Sequence, residues 1–223
     1  MRKLLLTTSF LLLSFILFAQ SQFKIKVGAN SANVESTGET VDAGMVPASI
    51  TSFNFGGLAE FKLNTTYYFQ PGIFFTKKGY KFDYSASESD YSVSLKSKVN
   101  VSYIEIPLNI IGKFDAAPGK FLLGAGPYVA YALSGKSKGN FKYDGPGTSE
   151  DISQPTDGKV EFGGGVDEMK KVDFGINMLA GYEFLNGRFF SLGYGLGLNN
   201  LSNDQEETIK NRVISLSIGF TLR

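Results

Sequence analysis

Val101 to Leu133 reads VSYIEIPLNIIGKFDAAPGKFLLGAGPYVAYAL, two alternating runs joined by the Asp, Ala, Pro and Gly segment Asp115 to Gly119. In the first run Ile104, Ile106, Leu108 and Ile110 fall on one face and Tyr103, Glu105, Pro107 and Asn109 on the other, because successive strand side chains point oppositely. In the second, Phe121, Leu123, Ala125, Pro127, Val129, Tyr131 and Leu133 share a face against Leu122, Gly124, Gly126, Tyr128 and Ala130. The pattern is that of a hairpin whose arms exceed the roughly 5–6 residues of ordinary strands and approach the roughly 9–11 that a tilted strand needs to cross a bilayer.

The same alternation recurs on both sides. A first strand starts at Phe23, with Phe23, Ile25, Val27 and Ala29 opposite Lys24, Lys26, Gly28 and Asn30; a second covers Phe53 to Leu63 and a third Tyr67 to Phe82. Tyr67, Phe69, Pro71, Ile73 and Phe75 form the third strand's expected outer face, although the size of Tyr68 and Phe74 leaves its register open. A sixth strand covers Val172 to Phe184, Asn186-Gly187 marks a tight turn, and a seventh carries Phe190, Leu192, Tyr194, Leu196 and Leu198 opposite Ser191, Gly193, Gly195, Gly197 and Asn199. The eighth alternates from Val213 to Leu222. The polar stretches 33–52, 83–98 and 135–170 read as long loops, the last with a small hairpin around Asn140 to Tyr143, and a charged loop covers Ser202 to Asn211. Connections thus alternate long and short, as in an eight-stranded antiparallel transmembrane β-barrel with short periplasmic turns and long extracellular loops.

Basic Arg2 and Lys3, the apolar run Leu4 to Phe18, and Ala19-Gln20-Ser21 form a secretory signal peptide, residues 1–20, cut after Ala19 or Gln20. The barrel domain is then 21–223. Its 20 basic and 21 acidic residues give no electrostatic case for nucleic acid. The absence of cysteine excludes disulfides and a lipid anchor on cysteine.

Two all-β architectures fit eight alternating strands. A lipocalin-like secreted carrier turns its large apolar face inward and its charged face to water. Here the second face is mostly Gly, Ser, Ala and Asn, a poor water-facing surface and a good lining for a narrow barrel. Phe23, Tyr67, Phe121, Tyr131, Tyr182 and Phe184 near strand ends match interfacial girdles, which favours the outer membrane and contact with its lipid.

FNFGGLAEFKL followed by YYFQPGIFFTKKGYKF, then YIEIPLNIIGKF, FLLGAGPYVAYAL and DFGINMLAGYEF, resembles the small porin-like outer-membrane β-barrel family of Bacteroidetes, which includes the PorT-like group. The resemblance spans essentially the whole mature chain and implies an eight-stranded outer-membrane barrel. The ending Gly219-Phe220-Thr221-Leu222-Arg223 departs from the terminal aromatic common in such chains, with Phe220 standing nearby.

The chain contains no histidine, so a Ser-His or His-Asp active site cannot be built, and no Cys/His zinc set exists. The reading is therefore non-enzymatic, with no cofactor and no metal. On the expected inner face Lys24, Lys26, Glu60, Lys62, Glu105, Asp173 and Glu183, with Asn109 and Asn177, form a candidate lumen network. Pairing inside the lumen is the structural expectation for such charges, and a binding or proton-handling site around Glu105 is the functional one. Eight strands enclose an interior that side chains fill, so a wide pore is not expected; inward Leu122, Tyr128 and Leu179 fill it, while Gly193, Gly195 and Gly197 leave room for a small cavity. The functional expectation is a structural or surface-interaction barrel whose extracellular or envelope partners meet loops 33–52, 83–98 and 135–170. The alternatives are a secretion-accessory barrel of the PorT-like kind and a narrow channel or ligand-binding barrel.

Overall fold

The computed structural model describes residues 21–37, 46–88, 91–145, 152–155 and 157–222. The signal segment 1–20 lies outside the described residues, as do parts of the expected loops 33–52, 83–98 and 135–170.

Eight strands close into a ring in which every neighbouring pair is antiparallel: β1 (Gln22–Thr37), β3 (Ile50–Lys62), β4 (Tyr67–Glu88), β5 (Tyr91–Ala116), β6 (Gly119–Asp144), β9 (Val172–Phe184), β10 (Arg188–Gly197) and β11 (Thr208–Leu222). β11 pairs with β1, and the β4–β5 pairing completes the circle. Closure leaves no barrel edge, so each spanning backbone N–H and C=O finds a partner without water. Three short pieces lie outside the ring: β2 (Pro47–Ala48) on β4, and β7 (Ile152–Pro155) and β8 (Gly158–Lys159) on β6.

The side-chain period assigns the faces. Phe23, Ile25, Val27, Phe53, Phe55, Ile73, Ile106, Leu108, Ile110, Leu123, Val129, Leu192, Leu216 and Ile218 all point outward and are 42–63% exposed, an apolar belt that only lipid covers favourably. Tyr67, Phe114, Phe121, Phe184 and Phe220 ring the belt near the short turns, and Tyr182, Phe184 and Phe190 pack ring on ring there. The register of β4 is settled: Phe74 is buried in the lumen, and Phe75 packs on outward-facing Phe53 and Phe55.

Short connections 63–66, 117–118 and 185–187 lie at the end that also holds Gln22 and Leu222. This is the periplasmic end. Between β9 and β10 the connection is Leu185, Asn186 and Gly187, one residue longer than an Asn-Gly two-residue turn. Gly187 stands at φ 80° and its N–H donates to Phe184 O at 2.9 Å.

Several polar stretches expected as loops are strand. β4 has 22 residues and β5 and β6 have 26 each, more than twice what the membrane requires. Stretch 83–98 continues the β4–β5 hairpin up to the pair Glu88↔Tyr91, and β6 runs through 135–144. Likewise β1 extends to Thr37, β3 begins at Ile50, and β11 begins at Thr208, within the segments assigned to loops 33–52 and 202–211. The physical reason is that alternation persists while composition changes: Val93, Leu95, Ser97 and Val99 oppose Ser92, Ser94, Lys96 and Lys98. A strand leaving the membrane exchanges its outward apolar residues for polar ones and keeps its period. The hairpin around Asn140 to Tyr143 exists as β6 paired with β7. The result is a sheet of β4, β5 and β6, edged by β7 and β8, standing beyond the extracellular rim.

Candidate functional site

Among the described residues, the buried charged side chains collect in the barrel interior. Period 2 sends Lys24 of β1, Glu60 of β3, Lys113 of β5 and Glu183 of β9 inward near the periplasmic end. They form a closed square. Lys24 Nζ lies 3.1 Å from Glu60 and 2.9 Å from Glu183; Lys113 Nζ lies 2.5 Å from Glu60 and 2.7 Å from Glu183. Gln70 Nε2 donates to Glu60 Oε2 at 3.0 Å. Two cations meet two anions, and each ion has two countercharges, which offsets the cost of taking them out of water.

A second layer lies toward the extracellular end. Lys78 of β4 contacts Glu105 at 2.8 Å and Asp173 at 2.9 Å. Asp173, fully buried, also accepts from Asn211 Nδ2 at 2.8 Å and from the Tyr128 hydroxyl at 3.3 Å, while Glu105 accepts from Asn177 Nδ2 at 3.1 Å. Lys26 reaches neither layer as an ion pair; its ammonium sits 4.7 Å from the centre of the Phe74 ring, within the field of Glu105. By itself this layer sets one lysine against two carboxylates, and the nearby Lys26 offsets the excess negative charge. Lys24, Lys78 and Lys113 likewise lie over inward rings, of Phe189, Tyr128 and Tyr68.

Of the seven charged residues assigned to the lumen from sequence, Lys24, Glu60 and Glu183 thus meet in one layer and Glu105 and Asp173 in the other, with Lys26 between. Lys62 does not join them: it is exposed at the last position of β3, at the periplasmic mouth. Sequence reasoning missed Lys113, Lys78, Gln70, Tyr128 and Asn211 as partners. Lys113 was accessible to it, because it continues the inward row of Glu105 and Asn109. Lys78 was hidden by the ambiguous register of β4.

Between the layers lies a cavity of about 70 Å³, lined among others by Lys26, Asn54, Asn109, Leu179, Gly193 and Gly195. Its lining mixes polar and apolar groups, and it has room for a few waters beside Asn54 and Asn109. Above the second layer, Phe162 and Met169 pack on the buried cluster of Val101, Tyr103, Tyr128, Ala130 and Ala132. Asn203 Nδ2 fastens that rim by donating to the carbonyls of Gly163, Gly165 and Glu168 at 2.9–3.1 Å. Ion-pair layers and an apolar cap thus occupy the lumen on either side of this cavity. Among the described residues no cluster of three or more acidic side chains forms a metal-sized site.

The chain is similar to Ail, the attachment invasion locus protein of Yersinia pestis, at 12% identity over 91% of this chain and 99% of that one, with a TM-score of 0.36. It is similar to Neisserial surface protein A at 16% identity over 90% and 96%, TM-score 0.39. It is also similar to the N-terminal barrel domain of Pseudomonas aeruginosa OprF at 12% identity over 91% and 100%, TM-score 0.30. No curated protein matches the sequence. The family model described as "Outer membrane protein beta-barrel domain" matches residues 18–203. With that match across most of its length, the chain belongs to the outer membrane protein beta-barrel domain family and resides in the outer membrane.

Proposed function

We propose that this protein is a non-enzymatic outer-membrane barrel that acts from its extracellular side, by adhesion or partner binding, while the filled barrel serves as its anchor. One observation carries the reading: the lumen is neutralised and packed, whereas β4, β5 and β6 continue far beyond the lipid belt. An enzyme in so small a barrel needs a nucleophile or base with a partner, and this chain has no histidine to supply one. The charged set inside balances as a whole once Lys26 is counted, which suits a structural role better than proton handling. Contacts then fall to the projecting sheet and to the rim built by 157–171 and 198–207.

The secretion-accessory reading of the PorT-like kind uses the same anchor and differs only in the partner, an envelope protein rather than an external surface. A test that separates the two compares cells producing the mature protein with cells producing a form whose β4–β5 hairpin is cut back to the lipid belt. Adhesion to polysaccharide- and protein-coated plates is expected to fall in the trimmed form, with the barrel still folded. Equal adhesion together with a defect in export of surface proteins would overturn the adhesion reading in favour of the accessory one.

A further inference from the structure

The projecting sheet has two unlike faces, and the pairing register assigns each residue to one of them. Residues opposite each other in a ladder share a face. The ladders β4–β5 and β5–β6 place Lys81, Lys98 and Lys138 side by side in a single row across three strands. On the same face Asp83 lies opposite Lys96, Asn100 opposite Lys136, and Lys142 opposite Ser94, while β8 brings Lys159 opposite Lys136. The opposite face carries Tyr80, Phe82, Leu95 and Val99.

The lysine face is the outward one. Its β4 row continues from Ile73 and Phe75 of the lipid belt through Lys77, whose ammonium lies 5.1 Å from the centre of the outward Phe53 ring. A lysine in that position carries its charge to the membrane surface along an apolar stem. From Lys77 to the Lys81 row is four residues, about 13 Å along the strand at ~3.3 Å per residue. Neighbouring strands lie ~4.8 Å apart, so three ammonium groups occupy a band about 10 Å wide. Lys96, Lys98, Lys136, Lys138, Lys142 and Lys159 are exposed. Against eight lysines the described side chains of this face include three carboxylates: Asp83, held by Lys81 at 2.8 Å, and the exposed Asp157 and Glu161 on either side of Lys159, so the face keeps a positive excess. Like charges directly opposite each other weaken a sheet. A whole chain close to neutral gathers them here, just beyond the level at which Lys77 meets the membrane surface.

We propose that the outward lysine face binds the phosphate groups of the outer-leaflet glycolipid around the barrel, fixing the projecting sheet against the membrane surface. Phosphate supplies the missing countercharge, and the row of three lysines on adjacent strands matches a headgroup that carries more than one phosphate. Juxtamembrane lysines attract an anionic lipid surface by an amount equivalent to about fivefold in affinity each. This site is independent of the adhesion reading: it sets the posture of the sheet whatever the sheet contacts.

The test titrates the folded mature protein in mixed micelles with a bisphosphorylated lipid A-type glycolipid, with the same glycolipid after dephosphorylation, with inorganic phosphate, and with a soluble sulfated polysaccharide. The wild type is expected to bind the phosphorylated lipid at least tenfold more tightly than its dephosphorylated form. Replacing Lys98, Lys136, Lys138 and Lys159 by Gln is expected to abolish that preference, and replacing them by Arg to keep it; the Arg form also controls for folding. Equal binding of the two lipids, or a Gln form that still discriminates, would overturn the proposal. Sulfated polysaccharide or free phosphate binding as tightly as the phosphorylated lipid would overturn its assignment to the membrane.

Discussion

At the scale of single residues, burial decides what each charge does. Lys113 is 8% exposed and holds both Glu60 and Glu183. Lys113→Gln leaves two carboxylates sharing Lys24 alone, and breaking a buried pair from one side costs about 3 kcal/mol or more. The urea midpoint of the refolded protein in lipid vesicles is expected to fall accordingly, and the double replacement with Glu60→Gln to recover much of the loss. An additive double variant would mean that the square is not coupled. Outward positions obey the opposite rule. Leu108, midway along the outward row of β5, has only lipid to meet, and Leu108→Arg is expected to cost about 2–4 kcal/mol in the same assay. A replacement with no effect would place that row in water.

At the scale of elements, the eight spanning strands were legible, and so were the faces of all but β4, because membrane alternation is a strict two-residue signal carried by large residues on one side; in β4 large Tyr68 and Phe74 on the inner face blur it. β9 was readable to its ends, Val172 to Phe184, since apolar residues begin and end together with the strand. The extension of β4, β5 and β6 was not read, because its outward residues are Ser, Lys and Asn, and polarity was taken for irregularity although the period continued. Lys24, Glu60, Glu105, Asp173 and Glu183 were legible as inward residues but not as pairs, and their partners Lys78 and Lys113 were not read at all. Lys24 and Glu183 are 159 residues apart and meet because of the stagger at which the ring closes, which no local pattern states. Turns follow local chemistry again. Gly187 at φ 80° occupies a conformation that a β-branched residue resists, so Gly187→Val is expected to lower stability by about 1–2 kcal/mol and to slow refolding of the β9–β10 hairpin. Unchanged urea midpoint and refolding rate would show that the turn does not guide that pairing.

At the scale of the whole molecule, the barrel separates two tasks. Its outer surface satisfies the membrane, its interior satisfies itself, and what remains for interaction stands outside. From the ion pairs on either side of a cavity of about 70 Å³ and the packing of Phe162 and Met169 above them, we infer a lumen without a continuous aqueous path. A narrow channel would need one, since conduction depends on sites that ions can both enter and leave. Planar-bilayer recording of the purified, folded protein tests this most directly. A silent bilayer, with folded barrel demonstrably inserted, is the predicted result, and conductance steps should emerge only when Lys113 and Lys78 are both replaced by Ala. Stable, discrete conductance steps from the unaltered protein would contradict the filled lumen and, with it, the assignment of function to the extracellular face.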